Sequence, residues 1–223
     1  MLYGAATVKY ELFPFPQIMQ AKLAATYDER PPYYIDKKSF FDQHGKQFPI
    51  AMAGDSLTDH AEWGELFKTS AIANRGIGGD TTKGLLERMD SLYSTHAATT
   101  FVMIGINDIT KNQEVATIFE NYTKILELLT ANNMRPHIQS TLLVGKQKAQ
   151  YNERVHDLNT RLITYAAEKK IPFIDLNILL SKNDLLDEAY TTDGIHLNSQ
   201  GYALWAEAIR PYVTVSLNSI QNN

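Results

Sequence analysis

The sequence predicts an α/β fold, a three-layer sandwich built on a five-stranded parallel sheet, and three observations lead there. From Gln47 onward, short runs of apolar and β-branched residues alternate with longer stretches of helical period, the pattern that βαβ units produce. The short runs are apolar throughout rather than at every second position, as strands covered on both faces require. A chain of 223 residues with 44% hydrophobic and 21% charged content suits one domain with a sizeable core, neither disordered nor fibrous.

The elements follow in chain order. Residues 1–46 read as an N-terminal arm packed on the domain: Phe13, Pro14, Phe15, Pro16, Pro31, Pro32, Tyr33 and Tyr34 crowd it, and only Gln17–Tyr27 is compatible with a helix. The domain proper takes 47–215. Its strand candidates are Pro49–Ala53, Ala71–Asn74, Thr100–Ile104, His137–Thr141 and Pro172–Leu176. Between them lie helix candidates at Ala61–Lys68, Thr82–Leu92, Glu114–Ala131 and Asn152–Lys169, and a last helix, Ser199–Val213, closes the domain. In Asn152–Lys169 the residues Val155, Leu158, Leu162, Tyr165 and Ala166 recur at three- and four-residue spacing and share one face. Right-handed crossovers assemble these elements into the sandwich. Residues 216–223 are expected to be a frayed tail.

Bulk chemistry narrows the function. A formal charge of −4 exerts no overall pull on nucleic acid, which is bound through clustered Lys and Arg; a small-molecule substrate fits better. The chain has no cysteine, so disulfides, thiol catalysis and thiolate metal sites are excluded together. No apolar run reaches the roughly 18 residues of a membrane-spanning helix, so no integral membrane contact is expected. The first residues do not read as a signal peptide. The expected location is cytoplasmic, or periplasmic or secreted if a leader has been trimmed away. The arm covers its own domain or pairs with a second subunit, so a homodimer stays open.

Ligands of open parallel sheets bind outside the carboxyl ends of the strands. Three polar sequences follow three strand candidates: Gly54-Asp55-Ser56, Arg75-Gly76-Ile77-Gly78-Gly79-Asp80 and Gly105-Ile106-Asn107-Asp108. They should converge on one edge. Ser56 sits where a strand turns into a helix, among N–H groups that favour developing negative charge, although a serine there also reads as an ordinary N-cap. Late in the chain, Asp193-Gly194-Ile195-His196 lets a carboxylate reach one imidazole nitrogen while the other faces a nucleophile; alone, the pair reads as a loop histidine with a capping aspartate. Asn107 and the Gly76–Gly79 run are candidate oxyanion donors, or a turn and a glycine-rich loop. The run is not a P-loop.

Together, Gly54-Asp55-Ser56-Leu57, Asn74–Thr82, Gly105-Ile106-Asn107-Asp108 and Asp193-Gly194-Ile195-His196 resemble, in type and order, the four blocks of the SGNH (GDSL) hydrolase family. The second resembles most the platelet-activating-factor acetylhydrolase-like branch. The resemblance spans 54–196 and implies a flavodoxin-like sandwich and a serine esterase without cofactor. It implies that Ser56 is the nucleophile and donates its backbone N–H to the oxyanion. Gly79 would add a second N–H and Asn107 a side-chain amide; His196 would be base then acid, and Asp193 would orient it. Apart from the resemblance, Asp55, Asp59 and His60 beside Ser56, with Asp80 and Asp108 on neighbouring loops, could be read as a hard-metal cluster, but supporting and capping roles are preferred, since carboxylates at helix starts are common.

The expected reaction is hydrolysis of a small acyl ester, by preference removal of a short acyl group such as acetyl from a carbohydrate or small metabolite. Lysophospholipase or thioesterase chemistry is the first alternative, because one fold hosts several activities. A metal-dependent phosphoesterase built on Asp55, Asn107 and His196 is the second, and a non-catalytic binding module the third. His44, His96, His137 and His156 read as ordinary histidines, Trp63, Tyr202 and Trp205 as packing residues with the lining of an acyl or sugar pocket as the alternative, and Lys146-Gln147-Lys148 as a solvated loop whose place at the same sheet edge leaves substrate contact open.

Overall fold

The computed structural model describes residues 30–221, and 1–29, most of the expected arm with its Gln17–Tyr27 stretch, lie outside the described residues. The described chain begins with α1 (Pro32–Gln43), a helix the sequence reading did not anticipate. Pro32 stands in its first turn, where the missing N–H costs nothing and the fixed φ suits helix entry. Tyr34 and Phe41 on this helix are buried with Ile77 in a small cluster of their own.

The sheet comprises β1 (Ile50–Gly54), β2 (Ile72–Gly76), β3 (Thr99–Met103), β4 (Arg135–Gln139) and β5 (Phe173–Ile174). It is parallel throughout, in the order β2-β1-β3-β4-β5. The chain therefore reverses its winding direction at β1 and β3, and the crevice at that switch point is where such sheets take ligands. Both central strands are buried along their whole length, which explains their unbroken apolar runs.

Short helices follow the first strands: α2 (Ser56–Asp59) and α3 (Trp63–Phe67) after β1, α4 (Thr82–Leu86) and α5 (Asp90–Tyr93) after β2, and α6 (Ile106–Thr110) after β3. The long helices α7 (Val115–Ala131), α8 (Asn152–Lys169) and α10 (Ser199–Gln221) cover the sheet, and the single turn α9 (Asn177–Leu180) follows β5. Leu126 and Leu129 of α7, Leu158 and Leu162 of α8, and Trp205 and Ile209 of α10 join the strand residues in one core. Among the described residues no helix is long and apolar enough to cross a membrane.

Four expectations are corrected. The single helix expected over Thr82–Leu92 is two, α4 and α5. Between them the bonds tighten to three-residue steps (Arg88 N–H to Leu85 O, Ser91 N–H to Arg88 O), and this turn aims the Arg88 side chain inward. The fourth strand begins at Arg135 rather than His137, even though Pro136 lacks a strand donor. Even-numbered residues of β4 donate toward the fifth strand (Ile138 N–H to Pro172 O), and β5 begins only opposite Ile138, so the donor Pro136 lacks has nothing to meet. Third, a two-stranded hairpin, β6 (Ser181–Lys182) and β7 (Leu185–Leu186), was not foreseen. Its two-residue turn places Asn183 and Asp184 at φ 52° and 65°, the left-handed pair that tight hairpins need. Finally, residues 216–221, expected to fray, continue α10. Ser216 is buried and bonds Thr99 Oγ1 at 2.9 Å, which pins the helix to the start of β3.

Candidate active site

The three polar sequences do meet at the carboxyl ends of neighbouring strands, because β1 lies between β2 and β3. Ser56 is the first residue of α2, immediately after Asp55, whose Oδ1 accepts from Leu57 N–H at 3.0 Å. The glycine before that pair is obligatory. A Cβ on Gly54 would lie 2.2 Å from Thr58 Oγ1 and 2.3 Å from Met103 O, so any side chain would push the serine turn off the sheet. Ser56 itself is buried, 9% exposed. Its N–H, at the start of a helix, donates to no protein acceptor among the described residues.

His196 is brought to it by a loop from the far end of the chain. Its Nε2 lies 2.9 Å from Ser56 Oγ and its Nδ1 2.6 Å from Asp193 Oδ2. An Nδ1–H that donates to the carboxylate leaves Nε2 as the acceptor for the serine hydroxyl. Asp193 Oδ1 accepts from the N–H groups of Ile195 and His196 at 2.9 and 2.8 Å. Partial burial pushes this carboxyl up, but the bonds from the His196 ring and backbone outweigh it and hold the group down at about 2. It is a fixed anion at neutral pH. The loop is clamped from outside: Thr191 Oγ1 donates to His196 O at 2.7 Å, and Gly145 N–H donates to Gly194 O at 2.8 Å.

The donor side is as ordered. Gly79 has φ +76°, and a Cβ built there would meet nothing within 4 Å, so its face is open to a ligand and its backbone is in the region that favours glycine. Its N–H, too, has no protein acceptor among the described residues. Asn107 donates through Nδ2 to Asp80 O at 2.9 Å, which orients the amide and leaves its second N–H unused. One helical turn on, Lys111 Nζ donates to Gly79 O at 3.2 Å. Two side chains from one short helix and its C-terminal cap thus hold successive carbonyls of the Gly79 turn.

The three supporting aspartates are buried beneath this surface. Asp108 accepts from Thr82 Oγ1 at 2.6 Å and from Thr82 N–H at 3.0 Å, tying the β3 end to α4. Asp80 is paired with Arg88 at 2.7 Å, both side chains essentially inaccessible. Burial raises the Asp80 and Asp108 carboxyls despite those partners. Asp55, fully buried, is pushed up to about 7, first by desolvation and further by the charges of Asp80 and Asp108. A charged Asp55 would therefore be costly at this position.

One contributor, Arg88, was passed over by the sequence reading, and two others, Asp59 and Tyr202, were named without the contacts that follow. Arg88 donates to Asp80, to Arg75 O and to Gly54 O, so one guanidinium ties the ends of β1 and β2 to α4; an arginine within an expected helix gave no signal of this. Asp59 accepts from Gly78 N–H at 3.1 Å and from Tyr33 OH at 2.6 Å, with Lys37 Nζ 2.8 Å away, and so fastens α1 to the glycine turn. Tyr202 donates to Leu57 O at 2.8 Å, a bond no motif announces. Trp63 and Trp205 pack edge to face in the core, their ring centroids 5.1 Å apart. The His60 ring is exposed, its centroid 5.1 Å from that of His196. Lys146-Gln147-Lys148 opens a short 3-10 turn rather than a loose loop. Among the described residues no group of three or more His, Asp and Glu is set to hold a metal ion; His196 faces Ser56, while Asp55 is sealed below it.

Comparison with known proteins bears on the family and the fold. A model of the GDSL-like lipase/acylhydrolase family matches residues 52–204. The chain superposes on a Streptococcus pneumonia protein named for platelet activating factor with a TM-score of 0.74 and 27% identity, covering 88% of this chain and 96% of that one. A GDSL-like lipase from Bacteroides thetaiotaomicron shares the fold, with a TM-score of 0.72 at 23% identity over 82% of this chain and 98% of that one. N-acylneuraminate cytidylyltransferase of Streptococcus agalactiae is 28% identical over 127 residues, 57% of this chain. That match spans only about a third of the relative's length (31%). The residues matched by the family model contain the serine turn, the glycine turn and the Asn107 and His196 loops, and the chain belongs to the GDSL-like lipase/acylhydrolase family, with the SGNH-type fold.

Proposed function

We propose that the protein hydrolyses carboxylic esters through an acyl-enzyme on Ser56, and that its substrates carry short acyl groups, such as acetyl, on a carbohydrate or small metabolite. The observation that carries this reading is the unbroken chain from Ser56 Oγ through His196 to Asp193, with contacts of 2.9 and 2.6 Å. As Ser56 attacks the ester carbonyl, its proton passes to His196 Nε2, and the imidazolium is balanced by Asp193. The oxyanion would form beside the Ser56 and Gly79 N–H groups and the second N–H of Asn107, whose amide is oriented by its bond to Asp80 O. His196 returns the proton to the departing alcohol. Water, deprotonated by the same imidazole, then releases the acid.

No residue in this sequence of steps depends on a cofactor. A carbohydrate alcohol is favoured by the curated relatives, named for an N-acylated neuraminate; the match spans too little of them to extend their cytidylyl transfer to this chain. The test is steady-state hydrolysis of p-nitrophenyl esters from two to twelve carbons, with a chelator present, for the native protein and Ser56→Ala. The reading expects turnover to peak at acetate and to collapse in the variant. Equal activity in the two proteins, or loss of native activity to the chelator, would overturn it.

A further inference from the structure

A cavity of about 450 Å³ lies beside the Gly79 turn, between that turn, the start of α1 and the exposed side of α4. Its lining includes Gly79 itself, whose open face points to a ligand rather than to packing. Among the described residues around it stand three cations, Arg30, Lys83 and Lys111, and one exposed carboxylate, Glu87. Asp80 also lines the cavity, but its carboxylate is turned inward to Arg88 and to Thr81 N–H. Arg30 and Lys83 share Glu87 at 3.2 and 4.0 Å. Lys111 forms no ion pair among the described residues, and its ammonium is held over the turn by the Gly79 carbonyl. Leaving Arg30 aside, two lysines, Lys83 and Lys111, stand against the one exposed carboxylate among the described lining residues, and in a chain whose formal charge is −4 this local positive balance beside the proposed oxyanion donors would draw in an anion.

We infer that this cavity is a subsite for an anionic group, a carboxylate or a phosphate, on the ester substrate, with Lys111 as the principal contact; the inference rests on the ester-hydrolase reading above. The ammonium keeps two N–H donors after its bond to Gly79 O, enough to hold an anion while the ester carbonyl lies against the Gly79 N–H. Because the acyl group is short, the anion belongs to the alcohol portion, and 450 Å³ accommodates a sugar-sized alcohol.

The test compares three mono-O-acetyl sugars: glucose, glucuronate and glucose 6-phosphate, the last two carrying their anions at the sixth carbon. The native protein should prefer at least one anionic ester over acetyl glucose by tenfold or more in kcat/KM, mainly through KM, and the better of the two identifies carboxylate or phosphate. Lys111→Met should cut that preference at least fivefold, Lys111→Arg should restore most of it, and added salt should weaken it. Equal rates for charged and neutral esters in the native protein, or an undiminished preference in Lys111→Met, would overturn the subsite. Calorimetric binding of glucuronate and glucose 6-phosphate to Ser56→Ala separates the two claims, since it needs no turnover. Binding that depends on Lys111, in a protein that hydrolyses none of the esters, would retain the subsite and remove the esterase reading. Hydrolysis without charge preference or such binding would do the reverse.

Discussion

Replacing Asp55 with asparagine should stabilise the protein, and increasingly so as pH rises. Asp55 is fully buried, with Oδ1 accepting from Leu57 N–H while Oδ2 faces no donor among the described residues. Desolvation, reinforced by Asp80 and Asp108, raises its carboxyl from 3.8 to about 7. In the unfolded chain it ionises near pH 4, in the folded protein near 7. Between those values the native state retains a proton that the unfolded state has lost, so stability falls as pH rises through the window and levels off above it. The rise corresponds to ~4 kcal/mol in full, of which about 2–3 kcal/mol is lost between pH 5 and pH 8. The amide of Asp55→Asn would keep an oxygen acceptor for Leu57 and carry no charge to bury. Removing the charge also relieves Asp80 and Asp108, in the same direction. Urea unfolding of both proteins at the two pH values measures the difference directly. The variant's advantage should be larger at pH 8 by about 2–3 kcal/mol; an advantage that is equal at both, or larger at pH 5, would refute the assigned burial cost.

Two further substitutions probe the layers around the site. Arg88→Met leaves Asp80 buried without its cation and strips donors from the Gly54 and Arg75 carbonyls, so denaturant unfolding at neutral pH should show a loss of about 3–5 kcal/mol; a loss under about 1 kcal/mol would show that the pair is dispensable. Asn107→Ala removes one of the proposed oxyanion donors together with its anchor on Asp80 O, and kcat on an acetyl ester should fall about 10²–10³-fold with little change in KM. A rise in KM at constant kcat would instead make Asn107 a ground-state binding residue.

Much of this architecture can be read from the sequence because parallel strands buried on both faces leave continuous apolar runs. Ile50–Ala53 and Phe101–Met103 show this plainly, and the chemistry follows directly at their ends. Ser56, Asn107 and the Gly76–Gly79 run were legible as candidates for that reason, Gly79 in particular only through the family resemblance, and Asp193 and His196 because three-residue spacing carries a local contact. What stayed hidden depends on contacts distant in sequence. The inward turn of Arg88 interrupts a helix whose local pattern is continuous, and its partners Gly54 and Asp80 lie on other elements. The β6–β7 hairpin has two residues per strand, too few for alternation to register, although Asn183-Asp184 is a turn signal. In α1, exposed Tyr33 and Phe40 stand among the buried Tyr34 and Phe41, which blurs the apolar stripe that marks a packed helix.

The central claim is that Ser56 is a nucleophile activated by His196. Its most direct test is covalent capture: incubation with a fluorophosphonate, proteolysis, and mass spectrometry of the modified peptide. The account predicts one adduct, on Ser56, formed rapidly by the native protein, slowed at least about a hundredfold in His196→Ala, where the base is gone, and absent in Ser56→Ala. An adduct on another residue, or labelling at the native rate without His196, would contradict it.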